Sequence, residues 1–195
     1  MESSRLSPIA AMDAKEGTRE PVTRRTRDIP AMSALNRFIE AQNAARSGFD
    51  VALSELRAGQ KRGHWIWYVF PQLRGLGSSP MADFYGIDAP GEAGAYLRDP
   101  VLRSRMLLAA SVVRDQLRAQ TSLTSLMGAD IDAIKLVSSM TLFAGVARRV
   151  NEGEAADDCR RIAAAAEEIL DAAAREGHAR CAFTERRLAE EGLRP

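Results

Sequence analysis

The chain has 195 residues, of which 46% are hydrophobic and 27% charged, and its formal net charge at pH 7 is +1. This composition is typical of a globular protein that buries about 70% of its extended surface, and the near-neutral charge argues against a general nucleic-acid-binding protein. The sequence contains neither an apolar run of the roughly 20 residues that cross a bilayer nor a secretory signal, so it predicts a cytoplasmic protein without a membrane partner.

The two cysteines do not suggest a metal site or a disulfide. Cys159 and Cys181 are far apart in the sequence, and neither belongs to a CxxC or paired-histidine pattern. The sequence therefore predicts reduced thiols, no metal and no cofactor.

Residues 1–32 mix serine, threonine, proline, glycine and charged residues without a sustained apolar period. We expect a mobile N-terminal tail, because such a stretch buries too little apolar surface to fold alone. Arg24, Arg25 and Arg27 could meet a phosphate, but Glu20 and Asp28 flank them and favour a solvated cluster. Residues 33–192 are predicted to form a single helical domain.

Apolar residues recur at helical spacing from residue 33 onward. Ser33 is a candidate N-cap for a first helix that runs past Ala45 towards Gly48. A further helical element, either separate or a bent continuation of the first, ends at Gly59. Its apolar positions are Phe49, Ala52, Leu53 and Leu56.

Two helix starts are marked by a capping side chain directly before a proline. They are Ser79 with Pro80 and Asp99 with Pro100, and each proline suits the first helical position. The helix after Asp99 is also predicted by an apolar stripe. The stripe consists of Leu102, Met106, Ala109, Ala110, Val113 and Leu117.

Three further helices are predicted in the last third of the chain. Asp130 is a candidate cap for one that carries Ile134, Val137, Thr141 and Leu142. An alanine-rich helix over residues 154–176 follows, and a short terminal helix begins near residue 184, so that C-terminal helices occupy 154–191. Because alternating strand patterns are absent, the sequence predicts an all-α fold, a compact orthogonal bundle of several helices with little or no strand.

Both tryptophans lie in residues 64–70, a segment that is apolar on every side and stops at Pro71. Its periodicity does not distinguish a helix from a strand, but so apolar a segment should cross the middle of the domain. Gly75 and Gly77 then suit a tight loop. Both glycines belong to the GLGSS stretch, residues 75–79, which runs into a helix start. Free backbone N–H groups at a helix start favour anions.

The chain resembles the bacterial and fungal family called domain of unknown function 1810, which is often mislabelled calpastatin-like. The resemblance lies in three stretches, which read HWIWYVFPQLRGLGSSPMADFYGI, EAGAYLRDPVL and KLVSSMTLF, and it covers about residues 34–147. It implies a compact, mainly helical domain and carries no established activity. The chain departs from the family where it has Gly63 in place of a usual serine, and Asp99 in place of a usual histidine.

The KLVSS stretch places Lys135, Ser138 and Ser139 on one face of a helix. An ammonium beside two hydroxyls can hold a phosphate or carboxylate, and a desolvated lysine could activate a serine nucleophile. No oxyanion-hole pattern supports the nucleophile, however. In the alternative interpretation Lys135 pairs with Asp132 and the serines bond to backbone carbonyls.

Several residues near the tryptophans have a functional and a structural interpretation. His64 could act as a general base, although a lone histidine in so apolar a segment is more typical of a satisfied core residue. Trp65 and Trp67 could stack on a flat ligand or simply fill the core. Gln72 and Arg74 either lock the glycine loop or reach a ligand. Tyr85 and Glu92 are expected to be network partners rather than catalysts.

These observations predict a polar pocket between residues 64–79 and the KLVSS helix that binds a small anionic, nucleotide-like ligand. Its predicted binding residues are Trp65, Trp67, Gln72, Arg74, Ser79, Lys135, Ser138 and Ser139. Catalytic residues stay unassigned, with His64, Lys135 and Ser139 as the candidates for a metal-free hydrolysis or transfer. The alternative is a non-catalytic structural or protein-interaction domain. The oligomeric state is not indicated.

Overall fold

The computed structural model describes residues 31–150, 153 and 155–193. These residues form ten α-helices and no strand, which confirms the all-α class, and their one β-type pairing is an isolated parallel bridge between Leu73 and Ile87. The predicted tail lies outside the described residues, together with its arginine cluster, except that residues 31 and 32 begin the first helix. None of the described helices is long and apolar enough to cross a membrane.

The helices follow one another with short connections. In chain order they are α1 (Ala31–Gln42), α2 (Phe49–Arg57), α3 (Ile66–Val69), α4 (Pro80–Tyr85), α5 (Pro90–Arg98), α6 (Pro100–Arg118), α7 (Leu123–Met127), α8 (Asp130–Ala147), α9 (Ala155–Arg175) and α10 (Ala182–Glu190).

Both predicted proline starts are confirmed. The Ser79 hydroxyl accepts a hydrogen bond from the backbone N–H of Ala82 at 3.1 Å. The Asp99 carboxylate accepts from the N–H groups of Val101 and Leu102 at 3.0 and 2.9 Å, and so caps α6. The predicted apolar stripe of α6 is buried, apart from its half-buried last member, Leu117.

Four predicted helix boundaries are wrong. Ser33 lies inside α1, which begins at Ala31, and Ala45 lies beyond the end of α1. Asp130 is the first helical residue of α8, since Ala129 occupies the cap position. Thr184 is the third residue of α10. At α8 and α10 a polar residue of cap type lies near the boundary without supplying the capping hydrogen bond.

Two short helices were not predicted. The start of α5 lacks a signal, because Ala89 precedes its proline and has no side chain that can cap it. The five-residue α7 is capped by the Ser122 hydroxyl, which accepts from the N–H of Ser125, but it is too short to show a helical period.

The core is one continuous apolar cluster centred on α8. This helix is buried without interruption from Leu136 to Ala147, as expected for a helix that neighbours cover on all sides. It packs against α9, which packs in turn against α6. The segment before Pro71 crosses this core as the single turn of α3, and Trp65, Ile66 and Phe70 are buried there.

Candidate functional site

A cavity of about 800 Å³ lies between the glycine loop (residues 75–79), the first half of α8 and the link from α9 to α10 (residues 176–181). Its volume falls within the roughly 300–1,000 Å³ range of small-molecule sites. The cavity is lined by Trp67, Gln72, Leu76, Gly77, Ser78, Ser79, Ala82, Asp130, Ile131, Ile134, Lys135, Val137, Ser138, Gly177, His178, Ala179 and Cys181. The tryptophan segment and the KLVSS helix therefore do meet across a shared space.

One face of α8 forms the longest wall. Asp130, Ile131, Ile134, Lys135 and Ser138 all line the cavity, and their spacing places them along one side of a helix. From the first to the last of them the helix rises about 12 Å. The two isoleucines remain 59% and 46% exposed, so apolar surface is left open at this wall.

Lys135 supplies the positive charge of this wall. Its Nζ lies 4.1 Å from the centroid of the Trp67 ring and donates to Asp132 Oδ1 at 2.8 Å. Asp132 Oδ2 also accepts from Lys61 Nζ at 2.6 Å. Burial by itself would raise the pKa of Asp132, but the two lysines hold it below its ordinary value. One carboxylate thus serves two ammonium groups.

The two serines of KLVSS occupy different environments. Ser138 lines the cavity, and its hydroxyl donates to the carbonyl of Ile134 at 3.0 Å. Ser139 is fully buried away from the cavity, and its Oγ has no hydrogen-bond partner among the described residues. Lys135 and Ser138 thus make the contacts expected if KLVSS has only a structural role, with Lys135 paired to Asp132 and Ser138 bonded to a backbone carbonyl. Both residues also line the cavity.

The two tryptophans are separated by the turn of α3. Trp67 is half-buried in the cavity wall, and its indole Nε1 is buried without a partner among the described residues. Trp65 is fully buried and does not line the cavity. Its Nε1 donates to Glu55 Oε2 at 2.8 Å, so its position is that of a core anchor.

Glu55 holds the loop that leads into α3. Its Oε2 accepts from the backbone N–H groups of Arg62 and Gly63 at 2.7 and 2.8 Å, as well as from Trp65. Burial by itself would raise the pKa of Glu55, but these hydrogen bonds and the charge of Lys61 keep it below its ordinary value. A single ionised carboxylate thereby fixes the entry to the tryptophan segment.

The remaining predicted site residues separate into two groups. Gln72 and Ser79 line the cavity, whereas Arg74 does not. The Arg74 guanidinium donates to the Asp88 carboxylate and to the carbonyls of Asp83 and Gly86, and so locks the glycine loop to the turn after α4. Of the two roles considered for Arg74, the structure therefore shows loop locking.

His64 is exposed and does not line the cavity. The sequence favoured a core position for it, and this expectation is wrong because His64 belongs to the loop that precedes α3 rather than to the buried turn. Glu92 is a network partner, as predicted. Its Oε1 accepts from Arg37 at 2.6 Å and its Oε2 from the N–H of Asp88 at 2.8 Å.

Sequence reasoning missed the wall that carries His178. After α9, Gly177 adopts a φ of +92°, and the N–H groups of Gly177 and His178 donate to the carbonyls of Ala174 and Ala173. This left-handed helix end turns the chain back towards α8. It brings His178 Nε2 to 3.5 Å from both Asp130 Oδ1 and Thr124 Oγ1. Gly177 signalled the turn, but not the residues that His178 would meet.

The described part of the chain offers no group of three or more His, Cys, Asp or Glu side chains arranged to hold a metal. Cys181 lines the cavity as a free thiol, and Cys159 is a buried one whose pKa burial raises.

Comparison with known proteins identifies relatives but no activity. No curated protein matches the chain. The fold is similar to the crystal structure of the conserved hypothetical protein Rv1873 from Mycobacterium tuberculosis, with a TM-score of 0.57 and 37% sequence identity over 80% of this chain and 94% of that one. Residues 32–158 match the family described as protein of unknown function DUF1810, and the chain belongs to this family.

Proposed function

We propose that the cavity binds a small anionic ligand and that Lys135 holds its charged group. The observation that carries this proposal is the sharing of Asp132 between Lys61 and Lys135, of which Lys135 lines the cavity. Because Lys61 also donates to Asp132, that carboxylate offsets the positive charge of Lys135 only in part. An anion placed against Lys135 would neutralise that charge, and a partly desolvated ion pair is stronger than the same pair in water.

The apolar part of the wall supports a ligand with an apolar body. Ile131 and Ile134 expose side chains next to Lys135, and Trp67 lies under its ammonium. Lys135 covers one face of the Trp67 ring, so this face is not free for a stacked base. A nucleotide-like ligand would therefore place its base against the isoleucines, with its phosphate at Lys135.

The proposal is one of binding and assigns no reaction. Within the part of the chain that the structure describes, Ser138 donates to a backbone carbonyl and Ser139 has no partner. Lys135 donates to a carboxylate rather than to either serine. A nucleophile needs a base within hydrogen-bond reach, and neither serine has one, so the hydrolysis or transfer considered from the sequence gains no support.

The two indole groups provide a direct test, because one lies in the cavity and the other in the core. With the full chain labelled with ¹⁵N at tryptophan, the Nε1–H signal of Trp67 reports on the cavity, and that of Trp65, bonded to Glu55, is an internal control. Two pairs of probes are used, and the two members of each pair differ only in whether they carry an anionic group. They are adenosine 5′-monophosphate with adenosine, and 3-phenylpropanoate with 3-phenylpropan-1-ol.

We expect the anionic member of at least one pair to shift the Trp67 signal at lower concentration than its neutral partner, without moving the Trp65 signal. Lys135→Met should abolish this preference while its aliphatic stem still packs on the ring. Arg160→Met is the matched control, since Arg160 also pairs with an aspartate three residues earlier but does not line the cavity. Equal responses to the charged and neutral probes, or an unchanged preference in Lys135→Met, would contradict the proposal.

A further inference from the structure

We infer that the cavity has a second polar end, formed by Asp130 and His178, that accepts a hydrogen bond from the part of the ligand farthest from its anionic group. This inference rests on the proposed function and narrows the class of ligand. The ligand would be an amphipathic anion with an apolar middle and a hydroxyl or amine donor at its other end.

The two polar ends are separated along α8. Asp130 precedes Lys135 by five residues, which corresponds to a rise of about 7.5 Å along the helix. Ile131 and Ile134 lie between them on the same wall. A ligand that contacts both ends must therefore cross an apolar stretch, and this spacing suits a substituted aromatic ring with a short side chain.

The second end is built to accept hydrogen bonds. An ionised carboxylate can only accept, and the Asp130 side chain is 67% exposed. Its Oδ1 lies 3.5 Å from His178 Nε2, which is long for a hydrogen bond, so this contact leaves acceptor capacity on the carboxylate. A neutral imidazole that donates from Nε2 to Asp130 keeps Nδ1 as a second acceptor.

The charges fix the direction in which such a ligand binds. Asp130 and Asp132 both lie in the first turn of α8, where their negative charges already complement the helix dipole. A ligand anion near Asp130 would face an exposed carboxylate without a lysine partner. The anionic group is therefore directed to Lys135 and the donor group to Asp130 and His178.

His178 lies C-terminal to residues 32–158, the part of the chain that matches the family. The Lys135 end of the cavity comes from the family region, and the second end combines Asp130 from that region with a residue beyond it. The link between α9 and α10, residues 176–181, therefore contributes through His178 to the choice of chemical group at the far end of the ligand.

The test compares 3-(4-hydroxyphenyl)propanoate with 3-(4-fluorophenyl)propanoate on the ¹⁵N-tryptophan-labelled full chain. The two probes share a carboxylate and a ring, and fluorine replaces the hydroxyl donor with little change in size. We expect the hydroxyl probe to bind the unmodified protein about tenfold more tightly, the effect of one hydrogen bond to a charged group. Titration of the Trp67 indole signal gives both Kd values.

Three variants assign this difference to residues. His178→Phe and Asp130→Ala should each bring the two Kd values close together, and the Trp65 signal shows whether each variant is folded. Lys135→Met should weaken both probes while keeping the ratio between them. Asp130→Ala keeps the test decisive if His178→Phe does not fold.

The outcomes separate this inference from the proposed function. If both probes bind equally tightly to the unmodified protein, and both need Lys135, then the anion site stands and the second polar end is refuted. A tenfold preference that persists in Asp130→Ala and in His178→Phe also refutes it. If neither carboxylate probe moves the Trp67 signal while adenosine 5′-monophosphate does, this inference is refuted and the anion site stands. If none of the anionic probes moves the signal, both are refuted.

Discussion

Lys61 and Lys135 share Asp132, but replacing Lys61 should lower the stability of the protein much more than replacing Lys135. The Lys61 side chain is 6% exposed, and its Nζ donates to Asp132 and to the carbonyl of Gly63, each at 2.6 Å. The Lys135 side chain is 18% exposed and has the single Asp132 contact, together with its position over the Trp67 ring. Lys61 thus has a structural role, whereas Lys135 retains a donor that can serve a ligand.

The magnitudes follow from these contacts. Lys61→Met removes two partly buried hydrogen bonds from a charged donor and leaves the Gly63 carbonyl without this partner, which should lower the free energy of unfolding by about 3 kcal/mol. Lys135→Met removes one contact from a carboxylate that keeps its bond to Lys61. Because methionine can still pack against Trp67, we expect a loss of about 1 kcal/mol or less.

Urea unfolding followed by circular dichroism at neutral pH measures both free energies. A common slope against urea for the variants and the unmodified protein would show that the change lies in stability rather than in the extent of unfolding. If Lys135→Met lost as much stability as Lys61→Met, Lys135 would be a structural residue. The argument that it is available to an anion would then be refuted.

Two further predictions concern the loop before α3 and its surroundings. Because the pKa of folded Glu55 lies below its ordinary value of 4.5, its contribution to stability is full above that pH and is lost as the pH falls through the folded value. Urea unfolding at neutral pH and at pH about 3 measures this loss. The free energy of unfolding should fall less between these two pH values for Glu55→Gln than for the unmodified protein, and equal losses would contradict this. Gly128 has a φ of +75°, and a Cβ there would lie 2.7 Å from the carbonyl oxygen of Lys61. Gly128→Ala should lower the free energy of unfolding by about 2 kcal/mol or more, whereas Gly91→Ala, which meets no atom within 4 Å, should be nearly neutral. Similar thermal midpoints for these two alanine variants would argue against the close approach at Gly128.

Much of the fold could be predicted from local patterns. Asp99 caps α6, and the apolar residues of α2 and α9 are buried as their spacing predicts, because capping and periodicity depend on residues within one or two turns. Local patterns did not reveal α5 and α7, which lack a capping side chain or sufficient length. They also placed Asp130 at a cap, although its carboxylate lies beside His178.

The candidate site was only partly predictable. Lys135 and Ser138 were expected to share a helical face, and they do, because that relation is set by the geometry of one helix. Whether Trp65 or Trp67 faced the cavity depended on how a single buried turn is rotated within the core. The loop-locking role of Arg74 depended on where the turn after α4 returns, which the sequence near Arg74 does not encode.

The sequence by itself determined the helical class, the two helix starts marked by proline and the shared face of Lys135 and Ser138, because these depend on residues that are close in the chain. Only the tertiary structure decided that Asp132 serves two lysines, that Trp67 rather than Trp65 borders the cavity, and that His178 meets Asp130. The contacts of Asp132 with Lys61 and of Asp130 with His178 join α8 to loops that are distant in sequence. They form only when the apolar faces of the helices pack into one core, and that packing sets which polar groups come together.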